Sequence, residues 1–152
     1  MKIAEALILR ADCQKRLEQI RERLVRSAKV QEGETPPEPP NELLKELNEI
    51  LKEYTDLVQR INKTNSVIEV EDGKTLTHLL AERDSIAMER SILESLVQAT
   101  SIKHDRYSKS EVKFFSTVNV REIQKKIDLL SKGYRELDTR IQEINWKVEL
   151  KD

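Results

Sequence analysis

The apolar residues between positions 120 and 144 recur at alternating steps of three and four, and this spacing most constrains the fold. The stripe consists of Val120, Ile123, Ile127, Leu130, Tyr134, Leu137, Ile141 and Ile144. A heptad of this kind places every apolar side chain on one face of a helix, and that face must pack against another helix. Asn119, with Glu122 three residues later, has the pattern of a capping box. The spacing therefore predicts a helix that ends near Trp146.

Three earlier segments show the same alternation, and they predict three further helices. Their approximate ranges are 3–27, 41–65 and 75–100. Four prolines between residues 36 and 40 separate the first two helices, because proline lacks an amide donor and keeps its predecessor extended. Asn41 follows these prolines and is a favourable N-cap for the second helix.

Segments that favour β-structure follow the second and fourth helices. Val67–Val70 is rich in β-branched residues, and the Asp72-Gly73 pair after it indicates a tight turn. Residues 101–118 lose the helical period and alternate apolar with polar side chains, which favours a β-hairpin. We therefore expect a mainly α fold of four long helices in two antiparallel helical hairpins, packed as a bundle. A short β-hairpin would join helices 3 and 4, and short β tails would follow helices 2 and 4.

Two stretches of the chain resemble one another 80 residues apart. Tyr54–Val70 and Tyr134–Leu150 hold identical residues at Tyr54/Tyr134, Leu57/Leu137, Arg60/Arg140, Ile61/Ile141, Asn65/Asn145 and Glu69/Glu149. Helix 1 aligns with helix 3 at a spacing of 72 residues. Any two heptad helices align on their apolar stripes, so the shared asparagine and β tail carry more weight. We interpret the chain as one helical domain, 1–152, with a possible internal duplication of 1–70 and 73–150.

The composition is typical of long helices with solvated faces. Charged residues make up 36% of the chain and aromatic residues 4%, which favours salt-bridged helix pairs over a thick mixed core. The net charge of −1 lacks the basic excess of a nucleic-acid-binding protein. Basic residues are in excess over 1–29 and acidic residues over 30–56, which indicates two neighbouring helices that attract each other.

The chain shows no sign of secretion or of membrane insertion. Cys13 is the only cysteine, so no intrachain disulfide can form. Glu5 and Arg10 leave the first residues with too short an apolar run for a signal peptide. No segment has the roughly 20 consecutive apolar residues that span a bilayer. We expect a cytoplasmic protein with no nucleic-acid partner and no membrane partner.

The residues around His104 could carry chemistry, but they also have a simpler interpretation. His104 and Asp105 could form a histidine and carboxylate site in the loop. Asp105, Arg106 and Tyr107 more simply form an ion pair beside an aromatic ring, which would shape the loop. The chain has only one other histidine, His78, too few for a structural zinc site.

A second possibility is an acidic metal site on the helices. Five carboxylates occur at helical spacing, namely Glu49, Glu53, Asp56, Glu82 and Glu89. In a bundle they could chelate magnesium for the hydrolysis of nucleotide pyrophosphates. We interpret them instead as solvated acidic faces, because no glycine-rich or lysine phosphate site accompanies them. We therefore expect no enzyme, with no catalytic, cofactor-binding or metal-binding residues and no cofactor.

The start of the first helix is apolar on several faces. One neighbouring helix cannot cover all of its large side chains, which are Ile3, Leu7, Ile8 and Leu9. Trp146, the only tryptophan, ends the fourth helix, where its ring could cover an interface and its N–H could donate to a partner. The predicted interface between copies consists of these five residues and the loop residues Asp105, Arg106 and Tyr107.

Several runs of the chain also resemble a known family. They are KIAEALILRADCQKRLEQIRERL at 2–24, RINKTN at 60–65, DGKTLT at 72–77, HDRYSKSEVKF at 104–114 and YRELDTRIQEINW at 134–146. Over its whole length the chain is similar to the septicolysin-like family of small bacterial proteins. The resemblance implies a cytolytic or pore-forming toxin, and it implies no catalytic residues.

Three functions are therefore open at this point. The first is a non-enzymatic helical interaction protein that associates with itself as a homo-oligomer, with no other protein partner identified. The second is the membrane-active cytolysin that the family resemblance implies. The third is an all-α, metal-dependent nucleotide pyrophosphohydrolase built on the acidic residues.

Overall fold

The computed structural model describes residues 1–101 and 112–152. These residues form four long helices and one small antiparallel sheet, so the expected mainly α fold is confirmed. In chain order the elements are α1 (Ile3–Arg26), α2 (Pro40–Val67), β1 (Glu69–Glu71), β2 (Lys74–Thr75), α3 (Leu76–Ala99) and α4 (Val120–Lys147).

The chain divides into two compact units. The first unit comprises Met1–Thr75 together with Gln142–Asp152, and the second unit comprises Leu76–Ile141. The last turns of α4 therefore belong with α1 and α2, whereas the rest of α4 belongs with α3. The single domain and the internal duplication remain predictions.

In the first unit α1 and α2 pack as an antiparallel pair along two buried rows. Each row repeats every seven residues, with Ala6, Cys13 and Ile20 on α1 followed by its C-cap Ser27, and with Leu43, Ile50, Leu57 and Thr64 on α2. Two ion pairs show that the helices are antiparallel. Arg16 of α1 pairs with Glu53 of α2 at 2.9 Å. Arg23, one heptad later in α1, pairs with Glu46, one heptad earlier in α2. This is the heptad packing that the apolar spacing predicts.

The turn between α2 and α3 is a small β-hairpin. Glu69 pairs with Thr75 and Glu71 with Lys74 in the antiparallel sheet. Asp72 and Gly73 between the strands have φ angles of 44° and 75°, the left-handed backbone of a tight hairpin turn. The turn predicted at Asp72-Gly73 is therefore confirmed. The hairpin predicted over 101–118 falls largely on residues 102–111, outside the described part, and residues 112–118 contain no strand.

The start of α2 differs from the sequence prediction. The N-cap is Pro39 and not Asn41, and the helix begins at Pro40. Proline suits this first helical position, because its fixed φ matches the helix and its missing amide proton would have no partner there. Asn41 lies inside the first turn.

The tail after α4 closes the first unit against the start of α1. The amide of Ile3 donates to the carbonyl of Val148 at 3.1 Å, and the amide of Leu150 donates to the carbonyl of Met1 at 2.8 Å. Lys2 and Glu149 form an isolated antiparallel bridge between these two bonds. The short β tail predicted after helix 4 is therefore present, and it pairs with the first residues of the chain.

In the second unit α3 and α4 also run antiparallel. Arg83 pairs with Asp138 at 2.8 Å, whereas Glu89, farther along α3, pairs with Lys126, earlier in α4. The guanidinium of Arg90 lies 5.4 Å from the centre of the Tyr134 ring, within the range of a cation–π contact. Polar contacts thus contribute much of the recognition between these two helices.

The cap predicted for α4 is present. The amide of Glu122 donates to Asn119 Oδ1 at 3.2 Å, and α4 begins at Val120. Asn119 therefore satisfies one of the amide donors that every helix start leaves without a partner in the helix.

Candidate interaction surfaces

The predicted interface at the start of α1 separates into a buried part and an exposed part. Ile3 is only 1% exposed, because the tail residues 148–150 pack beside it. Leu7 is half-buried. Ile8 and Leu9 are exposed to 59% and 38%. Of the predicted apolar set on α1, Ile8 and Leu9 therefore remain the side chains that another molecule can contact.

Trp146 is also at the surface. Its side chain is 56% exposed, while the preceding Asn145 is buried. The indole therefore lies on the outer side of the last turn of α4. The other three predicted interface residues, Asp105, Arg106 and Tyr107, lie outside the described residues.

The α1–α2 pair has one charged flank and one apolar flank. Glu46 and Glu53 lie three residues after Leu43 and Ile50, and both carboxylates pair with arginines of α1. The apolar flank consists of Leu44, Leu51 and Val58, each one residue after the buried row. A residue three positions after the buried row and a residue one position after it are rotated to opposite sides of that row. The charged flank and the apolar flank therefore lie on opposite sides of the contact between α1 and α2.

The charged flank is held by a double contact. Arg23 donates to Glu38 at 2.7 Å and to Glu46 at 3.0 Å. The bonds to Arg23 lower the pKa of the Glu38 carboxyl. Because Glu38 belongs to the proline-rich connection, Arg23 fastens that connection to the helix pair. The attraction predicted between basic helix 1 and acidic helix 2 therefore operates within a single chain.

Helix α3 carries two rows of residues on opposite faces. All members of the inner row are buried or half-buried, and they are Leu79, Arg83, Ile86, Arg90, Leu93 and Val97. The two arginines of this row contact α4. The outer stripe, shifted by two residues, consists of Ala81, Ser85, Met88, Ile92, Ser95 and Ala99, and all of its members are exposed. Two residues turn a helix by about 200°, so the outer stripe faces away from α4.

The outer stripe of α3 is the largest departure from the sequence-based expectation. Met88 and Ile92 at its centre are 65% and 67% exposed. Leu96 beside it is 37% exposed. The signal was present in the sequence, because the stripe repeats at steps of four and three without a charged residue. It was missed because the leucines of the inner row form a stronger pattern.

A cavity of about 370 Å³ lies at the end of α3 in the second unit. Its walls include Leu96, Ala99, Phe114 and Phe115, together with the hydroxyl-bearing residues Thr100, Ser101, Ser116 and Thr117. None of the described residues that line it is ionisable.

The acidic residues considered for a metal site are placed differently from a chelating cluster. Glu53 accepts from Arg16 at 2.9 Å, and Glu89 pairs with Lys126 at 2.6 Å. In the two described stretches of the chain, no three His, Cys, Asp or Glu side chains are arranged to hold a metal ion.

Burial raises the pKa of the Cys13 thiol, so this group stays protonated at neutral pH.

No helix in the described residues is both long enough and apolar enough to cross a membrane.

Comparisons with known proteins place the chain among proteins of unknown function. The model of the family of unknown function DUF6847 matches residues 10–150. A crystal structure of a functionally unknown conserved protein from Corynebacterium diphtheriae is 45% identical, covers 99% of both chains and superposes with a TM-score of 0.93. No curated protein matches. The resemblance to the septicolysin-like family is wrong, because the matching family is DUF6847; short shared runs on heptad helices do not establish a family.

Proposed function

The chain belongs to DUF6847, a family of unknown function, and we propose that it is a non-enzymatic, cytoplasmic interaction protein that associates with further copies of itself. In this proposal the helices provide surfaces and no reaction centre. Its partner is a second copy of the chain, with no nucleic acid and no membrane.

The exposure of Ile8 and Leu9 is the observation that supports this function. Ile3, Ala4 and Ala6 are buried, yet the next turn keeps two large aliphatic side chains at the surface. Full burial of such a side chain stabilises by about 1.5 to 3 kcal/mol. A symmetric contact repeats that gain on both copies, which helps to offset the entropy lost on association.

Two arginines of α1 are paired within the chain, so we attribute the association of copies to the apolar side chains Ile8 and Leu9. Arg16 and Arg23 are engaged by Glu53, Glu46 and Glu38 of the same chain. These two basic and three acidic groups are therefore already paired within one chain. We expect association that depends weakly on salt, because screening acts on charges and leaves apolar burial in place.

Size-exclusion chromatography with light scattering tests the proposal at tens of micromolar protein. One chain has a mass of 17.7 kDa, so the wild type should show a multiple of that mass. Ile8→Glu should shift it to a smaller species while circular dichroism keeps its helical signal. Val25→Glu is the matched control, since Val25 is on the same helix and 70% exposed. A wild type with the mass of one chain would overturn the proposed function.

A further inference from the structure

We propose that two copies of the chain pair through the outer stripe of α3, antiparallel and about a two-fold axis level with Arg90. This inference rests on the proposed self-association and adds a contact through α3 to the contact proposed at Ile8 and Leu9. The occupant of the stripe is the same stripe on a second copy.

The outer stripe has identical or similar side chains at equal distances on the two sides of Arg90, and this symmetry points to a second copy. Met88 and Ile92 lie two residues before and after Arg90, Ser85 and Ser95 lie five, and Ala81 and Ala99 lie nine. Antiparallel pairing therefore places Met88 against Ile92 of the second copy, Ser85 against Ser95 and Ala81 against Ala99. A two-fold axis requires such self-complementarity, because the same patch must serve both partners.

The spacing of the outer stripe also suits antiparallel packing of two helices. Its steps are four, three, four, three and four, so the residues alternate between the two core positions of a heptad. In each predicted contact a residue at one core position packs against a residue at the other core position of the second copy. The knobs-into-holes layers of antiparallel helices have the same arrangement. Alanine and serine at both ends allow the two backbones to approach closely, while Met88 and Ile92 fill the centre.

The charges beside the stripe are compatible with this pairing. The stripe contains no charged residue over five turns. Glu89 would face Glu89 of the second copy, which is the like-charge contact that the pairing creates. Lys126 of α4 pairs with Glu89 at 2.6 Å, so this charge is already balanced within each copy. On the other flank Ser91 would face Ser91, and Asp84 would face Gln98.

The opposite face of α3 is already in use. Arg83 and Arg90 of the inner row contact Asp138 and Tyr134 of α4. A helix that is apolar on two opposite faces is typical of a buried position with neighbours on both sides. The second copy would supply the missing neighbour, and about two thirds of the Met88 and Ile92 side-chain surfaces would leave water.

Thiol cross-linking tests both the surface and its direction. The natural Cys13 is buried, so introduced cysteines react selectively. Ala81→Cys/Ala99→Cys, treated with a short bis-maleimide at tens of micromolar, should give a covalent dimer. Each single variant should not, because antiparallel pairing keeps identical positions about 27 Å apart. Cross-linked dimers from either single variant would overturn the antiparallel register.

A substitution at the centre of the stripe separates this inference from the proposed function. Ile92→Glu should raise the dissociation constant of the oligomer about tenfold or more, with helical content unchanged. Val25→Glu should leave the dissociation constant at the wild-type value. If Ile92→Glu associates like the wild type and the double cysteine variant stays uncross-linked, the α3 contact is wrong although self-association stands. A monomeric wild type would remove both.

Discussion

Arg83 of α3 donates to Asp138 of α4 over 2.8 Å, on the face of α3 opposite Met88 and Ile92. The pair joins two helices at a position where an apolar heptad residue would ordinarily stand. Arg83 is 23% exposed and Asp138 33% exposed, so water screens the pair only partly. The inner face of α3 therefore combines polar contacts with apolar residues such as Ile86 and Leu93, while Met88 and Ile92 lie exposed on the opposite face.

Replacing Asp138 should loosen the second unit. Asp138→Asn removes the charge that balances the half-buried Arg83, and we expect the free energy of unfolding to fall by about 1 to 2 kcal/mol. Urea denaturation followed by circular dichroism measures the change. Asp128→Asn is the control, because Asp128 is an exposed residue of the same helix that accepts a hydrogen bond from Gln124. An equal loss in both variants would contradict the special role of the Arg83 pair.

The buried row of α2 should be far more sensitive than its exposed neighbour. Ile50 is 1% exposed and Leu51 is 41% exposed, although they are adjacent in sequence. Ile50→Ala should lower the free energy of unfolding by about 2 to 5 kcal/mol through lost burial and a cavity. Leu51→Ala should cost about 1 kcal/mol or less. Guanidinium denaturation compares them, and similar midpoints would show that the α1–α2 seam is wrongly placed.

Two glycines should respond in opposite directions to the same substitution. A Cβ at Gly73 or at Gly133 meets nothing within 4 Å, so only the backbone distinguishes them. Gly73 has a φ of 75°, and Gly73→Ala should destabilise by about 1 kcal/mol. Gly133 lies inside α4, and Gly133→Ala should stabilise by about 0.5 to 1 kcal/mol. Thermal melting reports both, and a shift of the same sign in the two variants would contradict the assigned backbone.

Stability should decline in acid through Glu149. The hydrogen bond from Lys2, followed by that from the amino terminus, lowers the pKa of the Glu149 carboxyl below its usual 4.5. A carboxyl with a lowered pKa in the folded state stabilises above the unfolded pKa, and this stability is lost as the pH falls through the folded pKa. Melting temperature measured as the pH falls below 4.5 should drop more steeply in the wild type than in Glu149→Gln. Parallel curves would exclude this contribution.

Charge reversal on α4 should weaken the α3 contact between copies. Lys126→Glu removes the partner of Glu89 and adds a second negative charge near the two-fold axis, so association should weaken severalfold at low salt. Lys132→Glu makes the same change of net charge elsewhere on α4, where Lys132 pairs with Glu136, and should leave association unchanged. Light scattering at low and high salt measures both variants, and equal weakening would point to net charge alone.

The helices could be predicted because each one carries a periodic apolar row. The spacing from Val120 to Ile144 and the Asn119 cap indicate α4, and the structure places the helix at Val120–Lys147. The Asp72-Gly73 turn was equally clear, because few residue pairs favour two left-handed positions in succession. Local sequence was sufficient for these features.

Local sequence patterns could not predict which residues pack together in the folded chain. The sequence shows that Ile3 is apolar, but not that Val148 and Leu150 return to cover it. The outer stripe of α3 consists of small and medium side chains, so it is weaker than the leucine row on the inner face. Sequence reasoning therefore assigned the interface to α1, and the exposed centre of α3 became visible only with the burial of each side chain.

The pairing of the tail with the start of α1 has a consequence for synthesis on the ribosome. Lys2 emerges first, whereas Lys147, whose carbonyl accepts from Lys2 Nζ, follows 145 residues later. At about 5 to 20 residues per second this interval lasts roughly 7 to 30 s. During that time the start of α1 lacks the backbone bonds that join Ile3 to Val148 and Met1 to Leu150. The start of α1 is thus translated well before the tail that pairs with it.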